Sequence, residues 1–260
     1  GISKLDSAAS LSFATSTNVK PVKLALVQDR LWINPFGTPN GVQNCGPTDD
    51  PTAAGSYSAV QTVGHATTGI TDLNALGTRL LVSKPEGMFL GDSAAVFPNV
   101  LPQIEDNPQP LNGRETVVAG DVVFYPHAQG LLKYRLGYPP EEVGLQRQIT
   151  AVNTKEISPS TRITALAVQG EYLWAAAEAN AYPRDVPTKV FLTSDNGSTF
   201  VDETTVSNDS DQTTSFSLAY LDASGADSQF LYVGYSAAFF GLWMTMIQQG
   251  SDRAYGEVLT

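Results

Sequence analysis

The chain has 260 residues, 42% of them hydrophobic and 9% aromatic, which is enough to build a sizeable core and excludes an intrinsically disordered protein. Its 26 Asp and Glu outweigh 15 Lys and Arg, for a formal net charge of -11; the basic residues are scattered singly, so a polyanion such as DNA would be repelled and nucleic acid is not expected as a partner. Cys45 stands alone, excluding an intrachain disulfide and a cysteine-based zinc site, and no apolar stretch reaches the length of a membrane-spanning helix.

The sequence opens at Gly1 without an initiator Met or a signal peptide, as expected of a processed chain or of part of a longer one. From there helical periodicity is scarce. Short runs rich in Val, Leu, Phe and Tyr recur between clusters of Gly, Pro, Asp and Asn, the pattern of strands separated by turns. Five of these runs share one phrase, a polar residue followed by three apolar ones: Arg30-Leu31-Trp32-Ile33, Arg79-Leu80-Leu81-Val82, Asp121-Val122-Val123-Phe124, Glu171-Tyr172-Leu173-Trp174 and Gln229-Phe230-Leu231-Tyr232. The last four are each followed by a second apolar run, beginning at Gly87, Gly130, Lys189 and Gly241. Apolar runs ending in polar turns also precede them, as in Ile70 to Leu76 before Gly77-Thr78 and Glu115 to Ala119 before Gly120. The repeating unit is therefore strand, tight turn, strand, loop, strand, with room for a fourth. A period of about 40–50 residues with roughly four strands predicts an all-β fold, a β-propeller of about five or more blades. The competing architecture is a β-sandwich, which has no reason to repeat the same phrase.

Three elaborations interrupt this rhythm in a domain expected to run over residues 1–260. The stretch 35–57 carries Pro35, Gly37, Pro39, Gly41, Gly46 and Pro47 and is expected to hold no regular element for long. The others are 95–113, with Pro98, Pro102, Pro108 and Pro110, and 137–147, with Pro139-Pro140. Propeller loops gather on the faces of the disc, so these segments are expected to build a contact surface. Phe36, Val96, Phe97 and Leu101 are its candidate interface residues, because apolar side chains at loop positions gain by packing on a neighbour.

Thr193-Ser194-Asp195-Asn196-Gly197-Ser198-Thr199-Phe200 matches the Asp-box pattern of sialidase-like propellers at each fixed position. Its chemistry is that of a hairpin turn, in which Asp195 accepts backbone N–H bonds and Gly197 supplies a positive φ, while Thr199 and Phe200 complete the pattern. The role of Thr193, Asp195, Gly197, Thr199 and Phe200 is thus expected to be structural. A wider resemblance runs over about residues 70 to 200. Leu80-Leu81-Val82-Ser83-Lys84-Pro85-Glu86-Gly87-Met88-Phe89, Asn112-Gly113-Arg114, Gly120-Asp121-Val122-Val123-Phe124-Tyr125-Pro126 and Gly130-Leu131-Leu132-Lys133-Tyr134 resemble, in their order and style, the large propeller proteins encoded among tailed-phage structural genes. Arg114 stands where those proteins have Lys, and Leu132 where they have Tyr. The resemblance implies a virion component of the tail or its adhesion apparatus, with other virion proteins as partners, a symmetric homo-oligomer, and a host receptor or glycan as a further contact.

An enzyme of the sialidase type would need an arginine triad and a Tyr–Glu pair, and none of the eight arginines stands in a Phe/Tyr-Arg-Ile-Pro phrase. The adjacent acids Asp49-Asp50 and Glu141-Glu142 are the obvious carboxylate pairs for glycoside hydrolysis, with solvated loop acids as the simpler reading. His65 and His127 sit in no metal-ligand spacing, and Asn208-Asp209-Ser210-Asp211 lacks the Gly and distant Glu of an EF-hand. No catalytic residue, metal site, cofactor or membrane insertion is expected. The function expected is that of a virion structural or adhesion propeller located in the virion; the alternative is a secreted carbohydrate-active propeller, either a sialidase-like glycoside hydrolase or a glycan-binding module.

Overall fold

The computed structural model describes residues 3–6, 12–15, 19–91, 96–105, 108–110, 112–127, 130–143, 161–169, 172–179, 188–193, 197, 201–206, 216–222, 229–237 and 241–248. Twenty strands lie in this part of the chain, and among the described residues no helix is long and apolar enough to cross a membrane. The chain divides into two compact units, Gly1–Asp121 and Val122–Thr260.

In the first unit, β1 (Ser3–Asp6) and β2 (Ser12–Thr15) form a two-stranded antiparallel sheet. A four-stranded sheet follows in sequence order: β3 (Pro21–Val27), β4 (Arg30–Pro35), β5 (Gly41–Cys45) and β6 (Gln61–Thr62). The next sheet is β7 (Asp72–Leu76), β8 (Arg79–Lys84) and β9 (Gly87–Gly91), and β10 (Val117–Ala119) closes the unit. Turn chemistry sets the registers. Gln28 and Asp29 adopt φ of 49° and 60°, the left-handed pair that a two-residue hairpin between twisted strands requires, and so Val27 pairs with Arg30 and Leu24 with Ile33. Gly77, at φ 58°, does the same between β7 and β8.

One expectation fails here. The Pro- and Gly-rich stretch 35–57 contains β5, paired with β4 on one side and β6 on the other. The reason is Asn34. Its buried carboxamide donates to the carbonyls of Thr38 at 2.9 Å and Gly41 at 2.8 Å, folding the Pro-Gly segment into a short connection and freeing the following residues for the ladder. The segment 137–147 likewise contributes a strand, Glu141–Val143.

The second unit repeats the plan. β11 (Val122–His127), β12 (Gly130–Arg135) and β13 (Glu141–Val143) pair in order; β14 (Thr161–Gln169), β15 (Tyr172–Ala179), β16 (Thr188–Thr193) and β17 (Val201–Val206) form a sheet, and β18 (Phe216–Asp222), β19 (Gln229–Ala237) and β20 (Gly241–Gln248) another. The five phrases of the sequence thus fall in β4, β8, β11, β15 and β19, each in its own sheet.

The apolar core of the first unit lies between its two larger sheets. Val27, Trp32 and Val42 from the first pack with Leu73, Val82 and Phe89 from the second. Alternation along the strands produces this: Ala25, Val27 and Trp32 share one face of β3 and β4, and the odd-even period of the pleat sends their neighbours to the other. Neither sheet could bury such a face alone, which is why the phrase has to recur.

Candidate functional site

The four candidate interface residues separate into two groups. Phe36, on the loop after β4, is 76% exposed, and Val96 is 68% exposed. Phe97 instead packs against the core, its ring meeting Trp32 edge-to-face at 6.4 Å, over Gly91, where no side chain would fit beneath it. Leu101 is fully buried, at 0% exposure, with its amide bonded to Asn99 Oδ1 at 2.9 Å. The expectation that Phe97 and Leu101 present an interface is corrected: both loop residues serve the interior, because the bridge between Phe89 and Asn99 turns the chain back onto β9.

The first unit also holds a polar network that the sequence did not announce. Lys84, the last residue of β8, and Glu86 in the two-residue turn after it are both wholly buried, with Nζ and Oε1 2.8 Å apart. Lys84 Nζ also donates to the carbonyls of Val63 and His65, each at 2.7 Å, and the His65 amide donates to Glu86 Oε1 at 3.1 Å. The pair therefore grips the 63–70 connection between β6 and β7. That connection is held from its other side as well, Val63 N donating to Asn40 O at 2.9 Å and Ile70 N to Pro39 O at 2.7 Å. Asn112 Nδ2 donates to Pro85 O at 3.0 Å, fixing the turn from a third direction. The result links three loops, 36–40, 63–70 and 84–87; Phe36 stands exposed on the first, and the imidazole of His65 on the second pairs with Glu105 at 3.1 Å.

Electrostatically the pair is held, not free. Burial pushes the Lys84 ammonium below its usual range, opposed by Glu86. Burial also works against ionisation of Glu86, but the hydrogen bond from Lys84 and those around it hold its carboxyl below the usual carboxylate range. Glu86 Oε2 is buried without a hydrogen-bond partner.

The acid pairs have local duties. Asp49 Oδ2 accepts the Gly46 amide at 3.1 Å, and Asp50 Oδ1 accepts the amide and hydroxyl of Thr52 at 3.0 and 2.7 Å. Glu141 is 3.0 Å from Lys133, and as successive strand residues Glu141 and Glu142 project to opposite faces. Burial pushes the Cys45 thiol up, with Asp49 and Asp50 adding to it, so it stays protonated and unreactive. Burial lowers His127, against an opposing pull from Glu142. Among the described residues no three metal-ligating side chains come together.

Of the Asp-box residues, Asp195, Thr199 and Phe200 lie outside the described residues, as do the acids at 208–211. The two described members act together. The Gly197 amide donates to Thr193 Oγ1 at 3.1 Å, and Gly197 has φ 84°. A Cβ on Gly197 would come within 3.0 Å of Val143 Cγ1, so both backbone conformation and space demand glycine. Thr193→Val removes a buried acceptor while keeping the shape, and is expected to cost about 1–3 kcal/mol in urea unfolding; a loss below a few tenths would show that the turn does not depend on this bond.

This arrangement of successive antiparallel sheets, one phrase to each, is that of a β-propeller. No protein-family model and no curated protein matches the sequence. Among solved structures, the chain is similar to the N-terminal domain of Nup159, with a TM-score of 0.54 and 10% identity over 94% of this chain and 62% of that one. It is also similar to YCF48 from Cyanidioschyzon merolae (TM-score 0.49, 9% identity, 93% of this chain and 86% of that one) and to Trypanosoma rangeli sialidase (TM-score 0.42, 13% identity, 97% and 52%). The chain thus spans about three fifths of the Nup159 domain and half of the sialidase. At this identity the likeness is one of fold.

Proposed function

We propose that the chain is a structural or adhesion propeller of a virion, working through contact with other proteins and needing no cofactor or catalytic residue. The observation that carries this reading is the braced loop surface of the first unit. A large aromatic side chain, Phe36, stands open to water on a loop held by hydrogen bonds to Lys20, Asn34 and the 63–70 connection, an arrangement that costs solvation when free and little ordering entropy on binding. The phrase order over residues 80–134, which resembles tailed-phage propellers, supports a place in the virion, with other virion proteins and symmetric copies of this chain as partners. A host receptor or glycan would use the same surface.

The test is the mass of the purified chain in solution together with a glycan-hydrolysis panel. The wild type is expected to associate and to leave the glycans intact, and Phe36→Asp to weaken association at least about tenfold, as removal of a central aromatic does, with unfolding unchanged. A monomer that cleaves a glycosidic bond, and stops when one carboxylate is neutralised, would overturn the reading in favour of the carbohydrate-active alternative.

A further inference from the structure

A second group of charges in the first unit has no part in the braced surface. Lys23 on β3 and Asp72, the first residue of β7, face each other across the joint between the two sheets, Nζ to Oδ1 at 3.5 Å. Asp72 is 16% exposed and Lys23 30%. The carboxylate takes one further bond, from the Leu73 amide at 2.9 Å. Glu115 lies in the segment leading into β10 and acts on Asp72 with a like charge. That segment cannot retreat. Thr116 O accepts Asn74 Nδ2 at 2.9 Å, and its hydroxyl is bonded to Ser83 Oγ at 3.0 Å and donates to Gly113 O at 2.8 Å. Glu115 itself holds φ 58°, with Arg114 loosely beside it at 3.9 Å.

Asp72 is therefore a mostly buried carboxylate whose cation stands at 3.5 Å, longer than a good charge-assisted hydrogen bond, and Glu115, next to the anchored Thr116, acts on it with a like charge. Burial and like charge both favour the neutral acid, and one loose cation does not offset them. We propose that Lys23, Asp72 and Glu115 form a proton-sensitive joint between β3 and β7, which takes up a proton at Asp72 in mild acid and becomes more resistant to unfolding when it does.

Burial, opposed by Lys23 and the Leu73 amide and reinforced by Glu115, pushes Asp72 up from 3.8 to about 6. Between those values the folded chain binds a proton that the unfolded chain does not. Stability is then fully present below the lower value and is lost as pH rises through the upper one. The charged groups around Asp72 are Lys23 from β3 and Glu115, with Arg114 beside it, from the segment before β10.

The experiment is carboxyl-carbon NMR titration of Asp72 in the full chain, with thermal unfolding followed over the same pH range. The expected midpoint is near pH 6, with the melting temperature falling as pH rises through it and Asp72→Asn abolishing that part of the fall. Lys23→Met should move the midpoint upward and Glu115→Gln downward. An Asp72 midpoint in the ordinary carboxylate range overturns the proposal. So does a raised midpoint that neither partner substitution shifts, since burial alone would then account for it. If Lys23→Met fails to fold, Glu115→Gln, which removes the like charge acting on Asp72, still decides the matter.

Discussion

Glu86→Ala is expected to lower the unfolding free energy of the first unit by about 3–5 kcal/mol, the cost of leaving a buried charge without its partner. Lys84 Nζ, wholly buried 2.8 Å from Glu86 Oε1, would keep its bonds to the carbonyls of Val63 and His65 but lose the carboxylate of this ion pair. The same change strips the His65 amide of its acceptor, so the 63–70 connection loosens along with the pair. The double variant Lys84→Met, Glu86→Leu provides the control. Removing both charges spares their desolvation, and the double variant should be more stable than Glu86→Ala alone, although it leaves two carbonyls without a donor. Chemical unfolding monitored by Trp fluorescence would measure both. A double variant less stable than the single one would mean that the bonds to Val63 and His65, not the charge pair, hold the loop. The pair's pH dependence runs opposite to that of Asp72: because Glu86 is held below the ordinary carboxylate range, its contribution persists in neutral and mildly acidic solution and is lost only as pH falls through that lowered value.

Gly64→Ala is expected to cost about 2–4 kcal/mol, from a left-handed backbone together with overpacking. Gly64 has φ 58°, and a Cβ there would stand 2.7 Å from Phe89 Cζ, 2.8 Å from Glu86 Oε1 and 3.1 Å from Lys84 Nζ. The neighbours cannot withdraw, since Phe89 belongs to the core and Glu86 is fixed by its pair. In the Glu86→Ala background one of these contacts is gone, so the two changes should cost less together than their sum. A double-mutant cycle in urea measures this coupling. Strict additivity would place the penalty in the backbone conformation and the Phe89 contact, with none from Glu86. Either variant should also weaken any association that depends on Phe36, because the loop carrying it is anchored to the 63–70 connection at Asn40 and Pro39.

The strand plan was legible in the sequence because it depends on local chemistry. A polar residue before three apolar ones, a Gly or Asn turn, and a second apolar run are decided within about ten residues of one another, and the repetition of that phrase named the fold class. The Gly197 turn was legible for the same reason: positive φ and a Thr four residues earlier are sequence properties. The loop content was not. Pro35 to Pro39 read as a structureless segment, yet one side chain, Asn34, gathers it and allows Gly41–Cys45 to form a strand. Phe97 and Leu101 looked like surface residues in a Pro-rich insertion, and only the return of the chain onto β9 buries them.

The charged groups show the same division more sharply. Lys84-Pro85-Glu86-Gly87 in the sequence is a polar turn, and solvated charges are its ordinary fate. What the sequence offered as a signal was only that Lys84 ends an apolar strand; its burial depends on Val63 and His65 arriving from 20 residues upstream. Asp72 gave no signal at all, since its neighbours Lys23 and Glu115 lie more than 40 residues away on either side. Local patterning therefore determined the strands, their turns and the propeller class of this chain. Which charges are buried, which loop aromatics face water, and which carboxylate can take a proton in mild acid were decided by tertiary contacts, because the energy of a charge or an apolar ring is set by whatever surrounds it in space.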